Sequence, residues 1–257
     1  VEASSVMLIA FAIILIGAPL ALIAKGLPLI SLGNFVPFFT HPLHTVMIAG
    51  FFMAESYFGW ETATYIAEET RNPRKTIPKA LIHATTIIAV IGFLLLVTIM
   101  GIIGWKQLGT ETASFAHAAS MVFDERLAAA VSIGAFLALI GSAASGVVAL
   151  PRLVLALARD RLFPSQFDAI HPRFKSPHNA ILFQTVALVV LLLLGFANYE
   201  TLLSMLVPIG ALMYIVILLT VPLLRAKYPD VERPFRVPFA KAGVTIACLF
   251  LIAAVAF

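Results

Sequence analysis

Four residues within one apolar, membrane-length stretch have types and spacing suited to chemistry: Glu55, Ser56, Gly59 and Glu61, inside VMIAGFFMAESYFGWETATYIA (Val46 to Ala67). Ionisable and polar groups at mid-bilayer depth are costly to hold and mark solute or ion paths. A glycine among them lets a helix open, and the opening at Ser56 to Gly59 frees backbone amides and carbonyls. Such a break is tolerated only where it lines a protein cavity rather than lipid. The predicted chemistry is recognition of a small solute by peptide groups, with no covalent step.

The elements that must position these residues are membrane helices. The chain of 257 residues is 61% hydrophobic and 12% charged, with mean hydropathy +1.02. That composition excludes a soluble globular domain and predicts an all-α polytopic membrane protein in contact with the lipid bilayer. Measured against the ~20 residues that cross a bilayer, seven transmembrane spans are predicted: Val6 to Ile23, Val46 to Tyr65, Leu81 to Ile103, Leu127 to Leu157, Ala180 to Leu194, Leu202 to Leu224 and Val244 to Phe257. The second, continued to about residue 70, is the discontinuous helix. Val1 in place of Met and an end at Phe257 within an apolar run read as a piece of a longer chain.

Charge sets the orientation. All but three of the 17 Lys and Arg fall in the loops after the second, fourth and sixth spans or, for Arg152, near the end of the fourth span on the same side, leaving Lys25, Lys106 and Arg126 on the other side. Basic residues favour the cytoplasmic side, so loops 66–80, 158–179 and 225–243 are predicted to be cytoplasmic in a multi-pass protein of the cell membrane. Their confinement to short loops argues against a nucleic-acid partner.

The fourth span carries small residues at helical spacing, Gly134, Ala138, Gly141, Ser142, Ser145 and Ala149. Two readings stand: a stripe for close helix packing, or a place where the Ser142 and Ser145 hydroxyls line an ion or substrate site. Gly92, Gly101 and Gly104 are candidate packing points in the third span, and Ser204, Pro208 and Gly210 allow a kink in the sixth. His41 and His44 read as loop histidines. Glu68 and Glu69 are expected to pair with Arg71 and Arg74. The single cysteine, Cys248, excludes an internal disulfide and a thiolate metal cluster. The sequence has no His-Glu-x-x-His zinc pattern, no intramembrane Ser-His pair and no Gly-rich phosphate loop, so an enzyme, a metal site and a cofactor are not expected.

Three stretches together with the interrupted helix resemble the amino acid-polyamine-organocation superfamily: SYFGWETATYIAEETRNPRKTIPKAL (Ser56 to Leu81), PRLVLALARDRLFPSQFDAIHPRFKSPHNAI (Pro151 to Ile181) and LLRAKYPDVERPFRVPF (Leu223 to Phe239). Their order and spacing are similar to the family's sixth helix and the loops after its sixth, eighth and tenth helices. The resemblance covers nearly the whole chain, from the family's fifth helix to part of its eleventh. It implies one partial transmembrane domain, residues 1–257, carrying the second half of a five-plus-five inverted-repeat, LeuT-like fold whose first four helices are not in this sequence.

It further implies a secondary active transporter, a permease for amino acids or related amines such as polyamines, working by alternating access and driven by a proton gradient or by exchange. In that pattern Ser56, Tyr57, Phe58 and Gly59 form the unwound segment, whose backbone binds the substrate's α-amino group. Trp60 and Glu61 support the break, with Glu61 bonding to neighbouring helices behind the site. Ser142 and Ser145 match the positions near a possible ion or coupling site. The first span has no charge before Lys25, so the family's coupling lysine is absent and either H+ or Na+ coupling stays open. The alternative is a non-transporting membrane sensor or an incomplete pseudotransporter.

Glu55 departs from the family pattern, which has an aromatic at this position. An isolated carboxylate at this depth must be paired, protonated or turned to water. Three readings stay open: it binds the distal cation of a basic amino acid or polyamine, it carries a coupling proton, or it is structural, paired with a group on the missing helices or left in a vestibule by a shift in the break.

Overall fold

A computed structural model describes residues 2–110, 113–196 and 198–256. Among them are ten α-helices and no strand: α1 (Glu2–Gly26), α2 (Leu43–Ala54), α3 (Thr62–Tyr65), α4 (Pro73–Ile103), α5 (Trp105–Leu108), α6 (Ser114–Val122), α7 (Glu125–Arg159), α8 (His178–Leu194), α9 (Tyr199–Lys227) and α10 (Ala240–Ala256). Four stretches are helical, long and apolar enough to cross a membrane: Val6–Leu29, Pro73–Ile103, Glu125–Arg159 and Tyr199–Lys227. Three of the seven spans read from sequence fall instead on shorter apolar helices, Leu43–Ala54, His178–Leu194 and Ala240–Val255. For the second span the cause is visible in the chain, because its helix stops at the polar patch. Large apolar side chains such as Phe93, Phe136, Leu193 and Leu212 remain outside, as helices bathed in lipid or covered by further protein require.

The chain forms two compact units, one of Val1–Phe38 with Ala80–Leu150, the other of Phe39–Lys79 with Pro151–Phe257. In the first, α1 lies along the small-residue stripe of α7. A Cβ added at Gly141 would come within 2.5 Å of Phe11 Cβ, and one at Gly134 within 3.4 Å of Ala18 Cβ. Close approach of two backbones is what such residues permit. Ala18, Ala119, Ala128 and Val131 form one small core beside it, and Leu22, Ile103 and Ala118 form another. Asp124 starts α7 by accepting hydrogen bonds from the amides of Arg126 and Leu127, both at 3.1 Å, the ordinary use of an aspartate at a helix N-terminus.

α4 ends in the same unit at Gly104, whose φ of 84° suits only glycine. Asn34 closes that end: its Nδ2 donates to Gly101 O at 2.7 Å and to Ile102 O at 3.2 Å, while the Ser31 amide donates to Gly101 O at 2.9 Å. Gly101 is a packing point, since a Cβ there would lie 2.7 Å from the Ile30 side chain; Gly92 has open space around it.

In the second unit α9 packs on α2 and α10. Ala54, Leu203 and Val207 make its core, with Phe51 and Phe58 against them. Asn198 caps α9 by accepting from the Thr201 amide at 2.9 Å. α9 runs through Pro208 as one helix.

Candidate functional site

The helix that begins after the extended Pro42 holds α-helical form for 12 residues, about 18 Å of rise, and stops at Ala54. A single tighter turn, Glu55–Tyr57, follows, and then Phe58 swings to an extended conformation, φ −90° and ψ 154°. Gly59 takes φ 99°, a conformation costly for any residue with a Cβ. The chain then folds into the short α3 and a second tight turn, Ala67–Glu69, before α4 begins at Pro73. Ser56 and Tyr57 thus keep a helical turn, and the break itself falls on Phe58 and Gly59. The side chain of Tyr57 lies outside the described residues.

The break has its own hydrogen-bond economy. Gly59 N–H donates to Tyr214 Oη at 2.9 Å and to Glu61 Oε2 at 3.1 Å, and the Tyr214 hydroxyl donates to the same Glu61 oxygen. Gly59 O accepts from both the amide of Thr62, at 3.1 Å, and its hydroxyl, at 2.6 Å. The amide expected to stand open at Gly59 is therefore engaged within the protein. The carbonyls of Ser56 and Phe58, by contrast, have no donor among the described residues. The amides of Trp60 and Glu61 likewise have no acceptor among the described residues, so the break presents both acceptors and donors, with the Gly59 amide alone committed.

Phe58 explains why the segment holds still. Its ring lies over Gly210, where an added Cβ would meet ring carbons at 2.5 Å, and it stacks on Tyr214 with centroids 4.9 Å apart and planes 13° from parallel. Gly210 and Tyr214 are four apart on α9 and share a face. Gly210 thus serves as a seat for an aromatic ring. An apolar cavity of about 460 Å³ lies beside this stack, lined also by Ile246, Phe250 and Leu251 of α10. Tyr214 was not singled out by sequence; the available signal was a lone hydroxyl-bearing residue within ALMYIVILL, one helical turn past Gly210.

The remaining expected residues are placed as follows. Glu55 is half-buried, and among the described residues nothing pairs with its carboxylate; Ser56 is exposed. Trp60 and Glu61 are half-buried next to the break. Ser142 and Ser145 are exposed on α7 in the other unit, and Ser145 Oγ donates back to Ser142 O at 2.7 Å.

Past the break, Glu68 and Glu69 pair with α7 rather than with Arg71 and Arg74. Glu69 takes a two-point contact from Arg152, Nε to Oε1 at 2.5 Å and Nη2 to Oε2 at 3.1 Å. Arg159 reaches Glu68 at 3.4 Å and Asp168 at 3.1 Å. Neighbours in sequence lose here because the tight turn at Ala67–Glu69 aims both carboxylates at the basic end of α7. The pairs wall a cavity of about 410 Å³ that Thr64 and Tyr65 also line.

Comparison with known proteins gives one consistent answer. The profile of the amino acid permease family matches residues 3–257. The methylthioribose transporter of Bacillus subtilis is 30% identical over 223 residues, 86% of this chain and 47% of that protein. The human cystine/glutamate transporter is 29% identical over 218 residues, 80% and 41% of the two chains. A branched-chain amino acid permease of Bacillus subtilis is 29% identical over 228 residues, 85% and 47%. The chain spans about half the length of these curated relatives.

Proposed function

We propose, from the premise that the chain belongs to the amino acid permease family and is a multi-pass membrane protein, that it carries half of the binding and gating apparatus of a secondary active transporter in the plasma membrane. The solute is an amino acid or a related amine, moved by alternating access with no covalent chemistry. The observation that carries this is the helix broken at Phe58–Gly59, with two backbone carbonyls left as acceptors and Phe58 on the wall of an apolar cavity. Irregular backbone at membrane depth persists where it lines a cavity, and an α-ammonium group is the natural partner of open carbonyls.

In this reading seven helices cross the bilayer, α2 together with the segment through α3 counting as one discontinuous span, and the chain is the second part of a LeuT-like repeat fold. Its cytoplasmic loops are 66–80, 158–179 and 225–243. Glu55, Ser56, Tyr57, Phe58 and Gly59 form the solute site; Trp60 and Glu61 support it. Ser142 and Ser145 are the candidate coupling site for H+ or Na+. Glu69–Arg152 and Glu68–Arg159 hold the chain beyond the break to α7 and act as an inner latch.

The relatives' names span a thioribose, acidic and sulfur-containing amino acids and branched-chain ones, so the substrate must be read from this site. The test is uptake into proteoliposomes by the full-length protein. Saturable uptake of an amino acid, abolished by dissipating the driving ion gradient or requiring internal amino acid, is expected. Uptake that is no greater than that of protein-free vesicles under every gradient overturns the proposal.

A further inference from the structure

The interrupted helix is acidic out of proportion to its surroundings. Residues 46–67 contain two carboxylates, Glu55 and Glu61, and no Lys, Arg or His. The helices packed on this segment, α9 and α10, add no basic residue over 200–224 or 242–256. The two carboxylates are differently employed. Glu61 is held by the Tyr214 hydroxyl and the Gly59 amide. Glu55, half-buried at the last turn before the break, has no hydrogen bond or ion pair among the described residues.

A carboxylate in a membrane-embedded, partly dry setting is stabilised by an opposite charge far more than it is in water. Within the described surroundings no protein cation supplies it. The carbonyls of Ser56 and Phe58 lack donors as well; the Gly59 amide is spent, and the amides of Trp60 and Glu61 are open, so it is the uncompensated charge of Glu55 that sets the sign of the preferred ligand group. From Glu55 to Phe58 the tight turn rises about 6 Å along its axis, at roughly 2 Å per residue. That separation is commensurate with the flexible four-carbon stem between the two cationic ends of a lysine-like molecule.

We infer that Glu55 is the specificity-determining residue of a site for solutes bearing two cationic groups, the α-ammonium on the open carbonyls at the break and the distal ammonium or guanidinium on the Glu55 carboxylate. Basic amino acids and linear diamines share this chemistry. The inference rests on the permease reading and names its substrate class.

The experiment is competition and uptake with the full-length protein in proteoliposomes, using arginine, lysine, putrescine, leucine and citrulline, the last matching arginine in shape without its charge. The wild type is expected to prefer arginine or lysine over citrulline and leucine by at least tenfold. Putrescine competing as well as lysine assigns a diamine site; putrescine failing to compete assigns one that also requires the α-carboxylate. Glu55→Gln should lower the arginine-to-citrulline preference at least tenfold. Glu55→Asp should keep part of that preference. The wild-type arginine and citrulline comparison needs no variant, so a Glu55→Gln protein that does not fold leaves the inference testable. Equal affinity for arginine and citrulline in the wild type overturns it, with the permease reading intact if either is transported. So does an unchanged preference in a folded Glu55→Gln, including one that loses only the pH dependence of uptake, which would make Glu55 a coupling group. No saturable uptake of any of these solutes or of other amino acids would overturn the permease reading itself, and this inference with it.

Discussion

Two glycines with positive φ interrupt helices in the two units, and they are finished in opposite ways. At Gly104, the end of α4, the carbonyls of Gly101 and Ile102 are taken by Asn34 and Ser31, and a Cβ added at the glycine would meet Asn34 Oδ1 at 3.2 Å. At Gly59 the carbonyls of Ser56 and Phe58 go unclaimed among the described residues, and an added Cβ would meet nothing within 4 Å. The closed end is the form a helix takes when only stability is at stake. The open end, held by Phe58, Glu61 and Tyr214, keeps the geometry and gives up the satisfaction.

That contrast can be broken most sharply at Gly59. Gly59→Ala places a Cβ in a backbone region costing about 1–3 kcal/mol, and since the space is open the strain is the whole penalty. Uptake is expected to fall at least tenfold; normal uptake would show that the bend is not required. Gly104→Ala carries similar strain plus the Asn34 contact, and should lower the unfolding midpoint while leaving the substrate affinity of the folded protein unchanged. Equal loss of affinity in both variants would erase the distinction.

Smaller effects sharpen the comparison. Asn34→Ala removes the side-chain donor from two carbonyls and should cost about 1–3 kcal/mol of stability, read from thermal or denaturant unfolding in detergent, again without altering affinity. Tyr214→Phe keeps the stack on Phe58 but removes one partner of the Gly59 amide and of Glu61. It should cost about 1 kcal/mol and reduce uptake several-fold; no change would mean that Glu61 alone suffices. Glu69→Gln breaks the contact with Arg152, whose members are partly exposed, so the stability change should stay below about 1 kcal/mol and shrink further in high salt.

Much of this was legible in the sequence because it depends on local pattern. Glu55, Ser56, Gly59 and Glu61 stand out against an apolar run, and the interruption lies among them. Close packing was one of two readings of the small residues of α7, and α1 approaches closely at Gly134 and Gly141. What escaped was pairing at a distance. Tyr214 lies 153 residues from Glu61 and Arg152 lies 83 from Glu69, and no periodicity links such positions. The expectation that Glu68 and Glu69 would take Arg71 and Arg74 followed from nearness in sequence, which a tight turn overrode. Hydropathy registers the apolar content of Val46–Tyr65, and the polar patch within it marks the interruption, which the helix reaches at Ala54.

The seat of Phe58 over Gly210 and against Tyr214 has a mechanical consequence. Torsion at the 58–59 peptide cannot relax privately, because the ring is wedged in a notch on α9 and the adjoining amide is tethered to the hydroxyl one turn along. Any displacement of that peptide must either unseat the aromatic or turn the face of α9 with it, so the bend and the helix are geared together at one side chain.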